Sequence, residues 1–138
     1  MKICLFHPKL LPPRDYGGVE RVVLWLAKGL KERGHDVWVA ALRGSRLPEG
    51  VRLLEMEEPR TSAEDLARIL PAGIECVHFM APAEDGGFGK LPCPTLLTVH
   101  GNGKPGEKFP RNTVFLSQDH ARRHGGRGPC APRQLGED

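Results

Sequence analysis

Gly17 to Leu42 reads GGVERVVLWLAKGLKERGHDVWVAAL, and its two halves repeat with different periods. Val19, Val22, Val23, Leu26, Ala27 and Leu30 fall at i, i+3, i+4, i+7, i+8 and i+11. That spacing is one face of a helix lying on a sheet. Lys28, Lys31, Glu32 and Arg33 form its wet side, and Gly34 is placed to end it as a C′ residue. Asp36–Leu42, DVWVAAL, is apolar nearly throughout. A run of that kind suits a strand covered on both faces, as strands of parallel sheets are. Upstream, Lys2–Phe6 (KICLF) reads as a first strand, followed by a proline-rich loop from His7 to Tyr16. The unit is strand, helix, strand.

The same alternation continues outward. Val51–Leu54, Cys76–Met80, Thr95–Val99 and Thr113–Leu116 read as strands. Thr61-Ser62 with Glu64-Asp65 starts a helix running to about Leu70, with a hydroxyl cap and first-turn acids. Ser117 caps a last helix from Gln118 to about His124, stopped by Gly125-Gly126. The fold class is therefore α/β: a single Rossmann-like domain with a mostly parallel sheet, flanking helices and right-handed crossovers. The domain is expected over residues 1–125. Residues 126–138, including RGPCAPRQLGED, show no periodicity and read as an irregular tail, disordered or truncated.

Bulk properties narrow the function. The 138 residues are the size of one domain, and at 39% hydrophobic they can bury a core. A net charge of +3 with 6% aromatic residues and no basic run interleaved with rings argues against nucleic acid as a partner. No apolar run reaches the ~18 residues of a membrane span. The N-terminus lacks a signal-peptide core, so a cytoplasmic location is expected. Cys4, Cys76, Cys93 and Cys130 form no CxxC pair, and Cys4 and Cys76 sit in apolar runs, as buried thiols do. Cys76 and His78 share a strand face, but a metal there would need two further ligands. No metal and no cofactor is expected.

In such sheets ligands bind beyond the carboxyl ends of the strands. That rule selects His7 and the loop to Gly18, Arg43-Gly44, Ala81–Gly89 and His100–Gly106. Gly101, Gly103 and Gly106 in GNGKPG match the spacing of a dinucleotide fingerprint. Pro105 and Pro110 leave no room for the helix that fingerprint requires. Gly17-Gly18 is a better anion cradle. Glycine lets backbone amides approach a ligand, and a helix start favours negative charge. The loop is too long for a dinucleotide turn, and Arg43 stands where an NAD enzyme carries an acid. On the residues alone, cradle and plain turn remain alternatives. His100 ends a strand at the binding edge, and His7 does the same more weakly. His35, His78, His120 and His124 read as structural or solvent-facing. Asp119-His120 beside Ser117 makes no triad, because adjacent helix residues point about 100° apart and Ser117 serves as the cap.

The pieces together resemble a known family. MKICLF, the proline-containing loop, YGGVER, RGHDV leading into the second strand, ECVHFM, PTLLTVHG and NTVFLSQDHARRHG look like the N-terminal domain of a group 1, retaining, GT-B class glycosyltransferase. The resemblance runs from about Met1 to Gly125. It implies a nucleotide-sugar donor whose diphosphate meets the backbone of Gly17 and Gly18. It implies a catalytic-site role for His100 beside the transferred sugar, and a hydroxyl acceptor. The acceptor cleft would be shaped by His7, Tyr16, Arg43, Gly101, Asn102 and Lys104. Met80 stands where the family strand ends in a second histidine, and Glu75 where it opens with aspartate. GT-B enzymes react between two domains, and the donor-binding second domain is missing from this chain, so the chain alone is expected to be inactive and to be the truncated front of a longer enzyme. Peripheral membrane contact and self-association through an exposed interdomain face stay open as partner modes. The competing class is a non-catalytic Rossmann-like module that binds an anion or a protein.

Overall fold

The computed structural model describes residues 1–85, 90–101 and 109–124. In chain order the elements are β1 (Lys2–Phe6), α1 (Gly18–Glu32), β2 (Asp36–Leu42), β3 (Arg52–Met56), α2 (Ala63–Ile69), β4 (Cys76–Phe79), β5 (Thr95–Val99), β6 (Thr113–Phe115) and α3 (Gln118–His124). The six strands form one sheet in the order β3-β2-β1-β4-β5-β6. Every pairing is parallel, not merely most of them. The direction of winding reverses between β1 and β4. This is the crevice at which doubly wound sheets bind their ligands.

Strand alternation divides the core into two layers. Cys4, Phe6, Trp38, Ala40, Val77, Phe79, Leu97 and Val99 face α2 with its buried Ala63 and Leu66. Ile3, Leu5, Val37, Val39 and Ala41 face α1 with its buried Val23 and Ala27. Phe6 and Phe79, neighbours across the β1–β4 register, stack at 5.2 Å between ring centroids. Truncating either to alanine would cost about 3–5 kcal/mol.

The helix boundaries follow local chemistry. Gly34 has φ 90°, a left-handed value that glycine adopts freely. Its N–H donates to Lys31 O and that of His35 to Leu30 O, the paired bonds of a Schellman stop. Val22 departs from the expected stripe: it lies on its flank and is 38% exposed. β3 begins and ends later than its apolar letters suggest, because Glu55 belongs to an edge strand and points its carboxylate at Arg43. β4 and β6 each end one residue early, at Phe79 and Phe115.

Candidate active site at the β1–β4 crevice

Three strands deliver imidazoles to one side of the carboxyl edge. His7 follows β1, and its N–H donates to Ala40 O. It continues the alternation of Ile3 and Leu5 and so lies on the α1 side. His78 alternates with Val77 and Phe79, which face α2, and so it too faces α1. Its Nε2 hydrogen-bonds Thr98 Oγ1 at 2.7 Å across to β5. His100 comes two residues after Thr98.

Burial makes these rings poor bases. Desolvation pushes the His7 imidazole below its ordinary value; nearby Lys9 and His100 push it further down, while Glu20 opposes. Burial, helped by His100, lowers His78 to about 4. Burial also lowers His100. At neutral pH all three are therefore predominantly uncharged, each able to donate through one nitrogen and accept through the other. Among the described residues, the buried Nε2 atoms of His7 and His100 have no hydrogen-bond partner within ordinary distance. Such atoms are costly unless they are used. The nearest charge to His7 Nε2 is Glu20 Oε1, at 3.7 Å.

α1 starts beside His7. Gly17 is its N-cap, extended at φ −148° and ψ 90°, and no side chain caps the helix. The helical ladder begins with Arg21 N–H donating to Gly17 O at 3.1 Å. The amides before it point out of the helix end, where the macrodipole favours an anion. The two glycines are not equivalent. A Cβ on Gly17 would lie 2.8 Å from Pro13 and 2.9 Å from Glu20 Oε2, whereas one on Gly18 would meet nothing nearer than Tyr16 Oη at 3.4 Å. Gly17 is buried and lets the proline loop close on the helix; Gly18 is exposed. The tight turn thus depends on Gly17, while Gly18 is the glycine that leaves its surroundings open.

The other expected site residues scatter. Tyr16 is 88% exposed, with the Arg21 guanidinium 5.9 Å from its ring centroid. Arg43 turns away from the crevice onto β3, where it pairs with Glu55 at 3.3 Å and Glu57 at 2.7 Å. Gly101 accepts through its carbonyl from His120 Nε2 at 3.0 Å. Because Leu116 N–H donates to Nδ1 of the same ring, the His120 proton resides on Nε2. His120 is thus a strut between α3 and the loop behind His100. Asn102 and Lys104 lie outside the described residues, as do residues 125–138. Two further side chains border the crevice without standing out in the sequence: Glu20, an acid in the first turn of α1, and His78, which reads there as structural or solvent-facing. Alternation along Cys76–Phe79 carried the signal for His78. Among the described residues, no three His, Cys, Asp or Glu side chains gather in a metal-binding arrangement.

A separate cleft of about 290 Å³ lies between β3 and α2, lined by Glu57, Arg60, Asp65 and Arg68 among others. Its cations are already paired, Arg60 with Asp65 and Arg68 with Glu64 and Asp65. Among its described lining residues no cation is left free for an anionic ligand, and the crevice is the better candidate.

The comparisons agree with the fold. Residues 16–124 match the model of Glycosyltransferase Family 4. No curated protein matches the chain. Among solved structures, the chain is similar to AviGT4, a glycosyltransferase involved in avilamycin A biosynthesis, with 27% identity and a TM-score of 0.70. The alignment covers 94% of this chain and 40% of AviGT4, so the chain spans under half the length of that relative. The doubly wound parallel sheet is that of the N-terminal domain of a GT-B glycosyltransferase, and the chain belongs to Glycosyltransferase Family 4.

Proposed function

We propose that these residues form the acceptor-side domain of a retaining glycosyltransferase. A nucleotide diphosphate sugar is the donor and a hydroxyl compound the acceptor. The observation that carries the reading is the uncapped start of α1 set beside the buried Nε2 atoms of His7, which faces Glu20, and of His100, which has no hydrogen-bond partner among the described residues. The amides around Gly18 hold the donor diphosphate, and the helix dipole stabilises the negative charge that grows as the sugar–phosphate bond breaks. Partial positive charge develops on the sugar in the same step, so a neutral imidazole suits a place beside it. His100 takes that place, binding a sugar hydroxyl through Nε2. His7 faces the same space and is steered by Glu20. Gly101, Asn102 and Lys104 frame the acceptor side and Tyr16 the entrance. Arg43 holds the β2–β3 end in place. A second domain completes the donor site, in keeping with the 40% of AviGT4 that this chain covers.

Amide chemical shifts of the ¹⁵N-labelled chain, titrated with uridine, guanosine and adenosine diphosphates, test this. One of the three is expected to move Gly18, Val19 and His100 selectively. Shifts confined to the β3–α2 cleft, or none with any of the three, would sink the reading. The chain alone is expected to bind without turning over sugar.

A further inference from the structure

Past Val99, which pairs with Phe115, the chain leaves the sheet. His100 and Gly101 lie beyond that last pair, and Gly101 has no side chain with which to fix its own backbone. Among the described residues, one hydrogen bond reaches this turn: His120 Nε2 donates to the Gly101 carbonyl at 3.0 Å. The donor belongs to the first turn of α3, 19 residues further on.

The local sequence explains why a histidine stands at 120. Ser117 caps α3: its Oγ accepts from His120 N–H at 3.0 Å, and Ala121 N–H donates to Ser117 O at 3.0 Å. His120 is thus the third residue after the cap, where a capping box places Glu or Gln to accept a backbone N–H in return. The imidazole accepts through Nδ1, taking the Leu116 N–H at 3.2 Å. A carboxylate could accept in the same way but would have no proton left for Gly101. A neutral imidazole has an acceptor on one side and a donor on the other. His120 is 5% exposed, and its ring stands edge-on to Phe115 at 5.3 Å. Phe115 in turn meets Phe109 edge-on at 5.4 Å. Gly101 after β5 and Phe109 before β6 are therefore both tied to the β6–α3 junction.

We propose that His120 is a positioning residue for the crevice: through the Gly101 carbonyl it sets the direction in which His100 presents its buried Nε2. The inference rests on the transferase reading, in which His100 stands beside the transferred sugar. His120 touches no substrate. It acts by removing freedom from the peptide behind His100. A turn ended by glycine and left without this bond would sample several orientations, and apparent affinity falls with the fraction of molecules in the competent one.

Two substitutions in the full chain test this. His120→Phe keeps a ring against Phe115 and removes both side-chain hydrogen bonds; His120→Gln keeps an acceptor and a donor. The first readout is the acid titration of the His100 ring in ¹⁵N-labelled protein. Burial holds His100 below its ordinary 6.5, and His7 and His78 lie within reach of its charge. In His120→Phe the midpoint should rise toward 6.5 as the loosened ring gains water, and in His120→Gln it should return toward the parent value. Whichever of uridine, guanosine and adenosine diphosphate binds the parent should bind His120→Phe about three- to tenfold more weakly, the size of one lost hydrogen bond, with His120→Gln restoring it. A His120→Phe protein that melts earlier while the His100 midpoint stays put overturns the proposal, since only stability would then depend on His120. If no diphosphate binds the parent, the transferase reading fails, and the His100 midpoint still decides whether His120 positions it. If His120→Phe does not fold, the parent decides: its His120 ring must carry a slowly exchanging proton on Nε2, and a proton on Nδ1 or fast exchange overturns the proposal.

Discussion

α1 and α2 start in opposite ways. At α2, Ser62 Oγ accepts from Asp65 N–H at 3.1 Å. Asp85 comes from the loop after β4; its carboxylate accepts from Ala63 N–H at 3.2 Å, from Glu64 N–H at 3.1 Å and from the Ser62 hydroxyl at 3.2 Å. A seven-residue helix is too short to hold itself, and these bonds sustain it. At α1 the N-cap is a glycine without a side chain to give. The fifteen residues of α1 and its seat on the sheet hold it without that help. Where the protein needs the helix end closed, it brings a carboxylate of its own. Where it leaves the end open, the space faces His7 and the crevice.

Substitutions can break this contrast. The largest effect is expected from Gly17→Ala, which forces a methyl against Pro13 and should cost about 1–3 kcal/mol in urea unfolding. Were Gly17 merely a flexible hinge, stability would hold or rise. Asp85→Ala strips α2 of its borrowed carboxylate and should cost about 1–2 kcal/mol. Ser62→Ala should cost about 1 kcal/mol by the same assay. Gly18→Ala, with room for its methyl, should shift stability by no more than about 0.5 kcal/mol yet weaken diphosphate binding in the shift titration. A Gly18→Ala protein that binds as well as the parent would show that α1 is not the anion site.

Acid should act on the histidines of the open end. His78 titrates at about 4 in the fold, against its ordinary 6.5, and His7 and His100 are also lowered. Their folded values lie below the unfolded ones. The stability that His78 contributes is therefore complete above about pH 6.5 and is lost as pH falls through about 4, and that of His7 and His100 is lost in the same, acid direction. Proton shifts of the His78 ring, followed between pH 7 and 3.5, check this; a midpoint near 6.5 contradicts the burial argument.

The parallel sheet was legible because DVWVAAL tolerates no wet face and Gly34 could only end a helix. The candidate site rests on the carboxyl-edge rule, which selects His7 and His100. The hidden parts depend on partners distant in sequence. Arg43 is drawn outward by Glu55, which the β2–β3 register sets opposite Ala41. Asp85 reaches a helix more than twenty residues upstream. His120 reads as structural or solvent-facing, and only the fold shows that it braces the Gly101 carbonyl. Val22, on the flank of its stripe, shows how coarse a periodicity is at its margins.

The strand order also governs the sequence in which the molecule assembles. Ile3 pairs with Val37 on one side and with Cys76 on the other. During synthesis, β3, β2 and β1 with α1 can come together long before β4 has left the ribosome, because near contacts close at lower entropic cost. The seam between β1 and β4 is the late step, and the crevice lies along it. Half of the site is therefore finished early, and the face of β1 that receives β4 waits uncovered until the chain reaches Phe79.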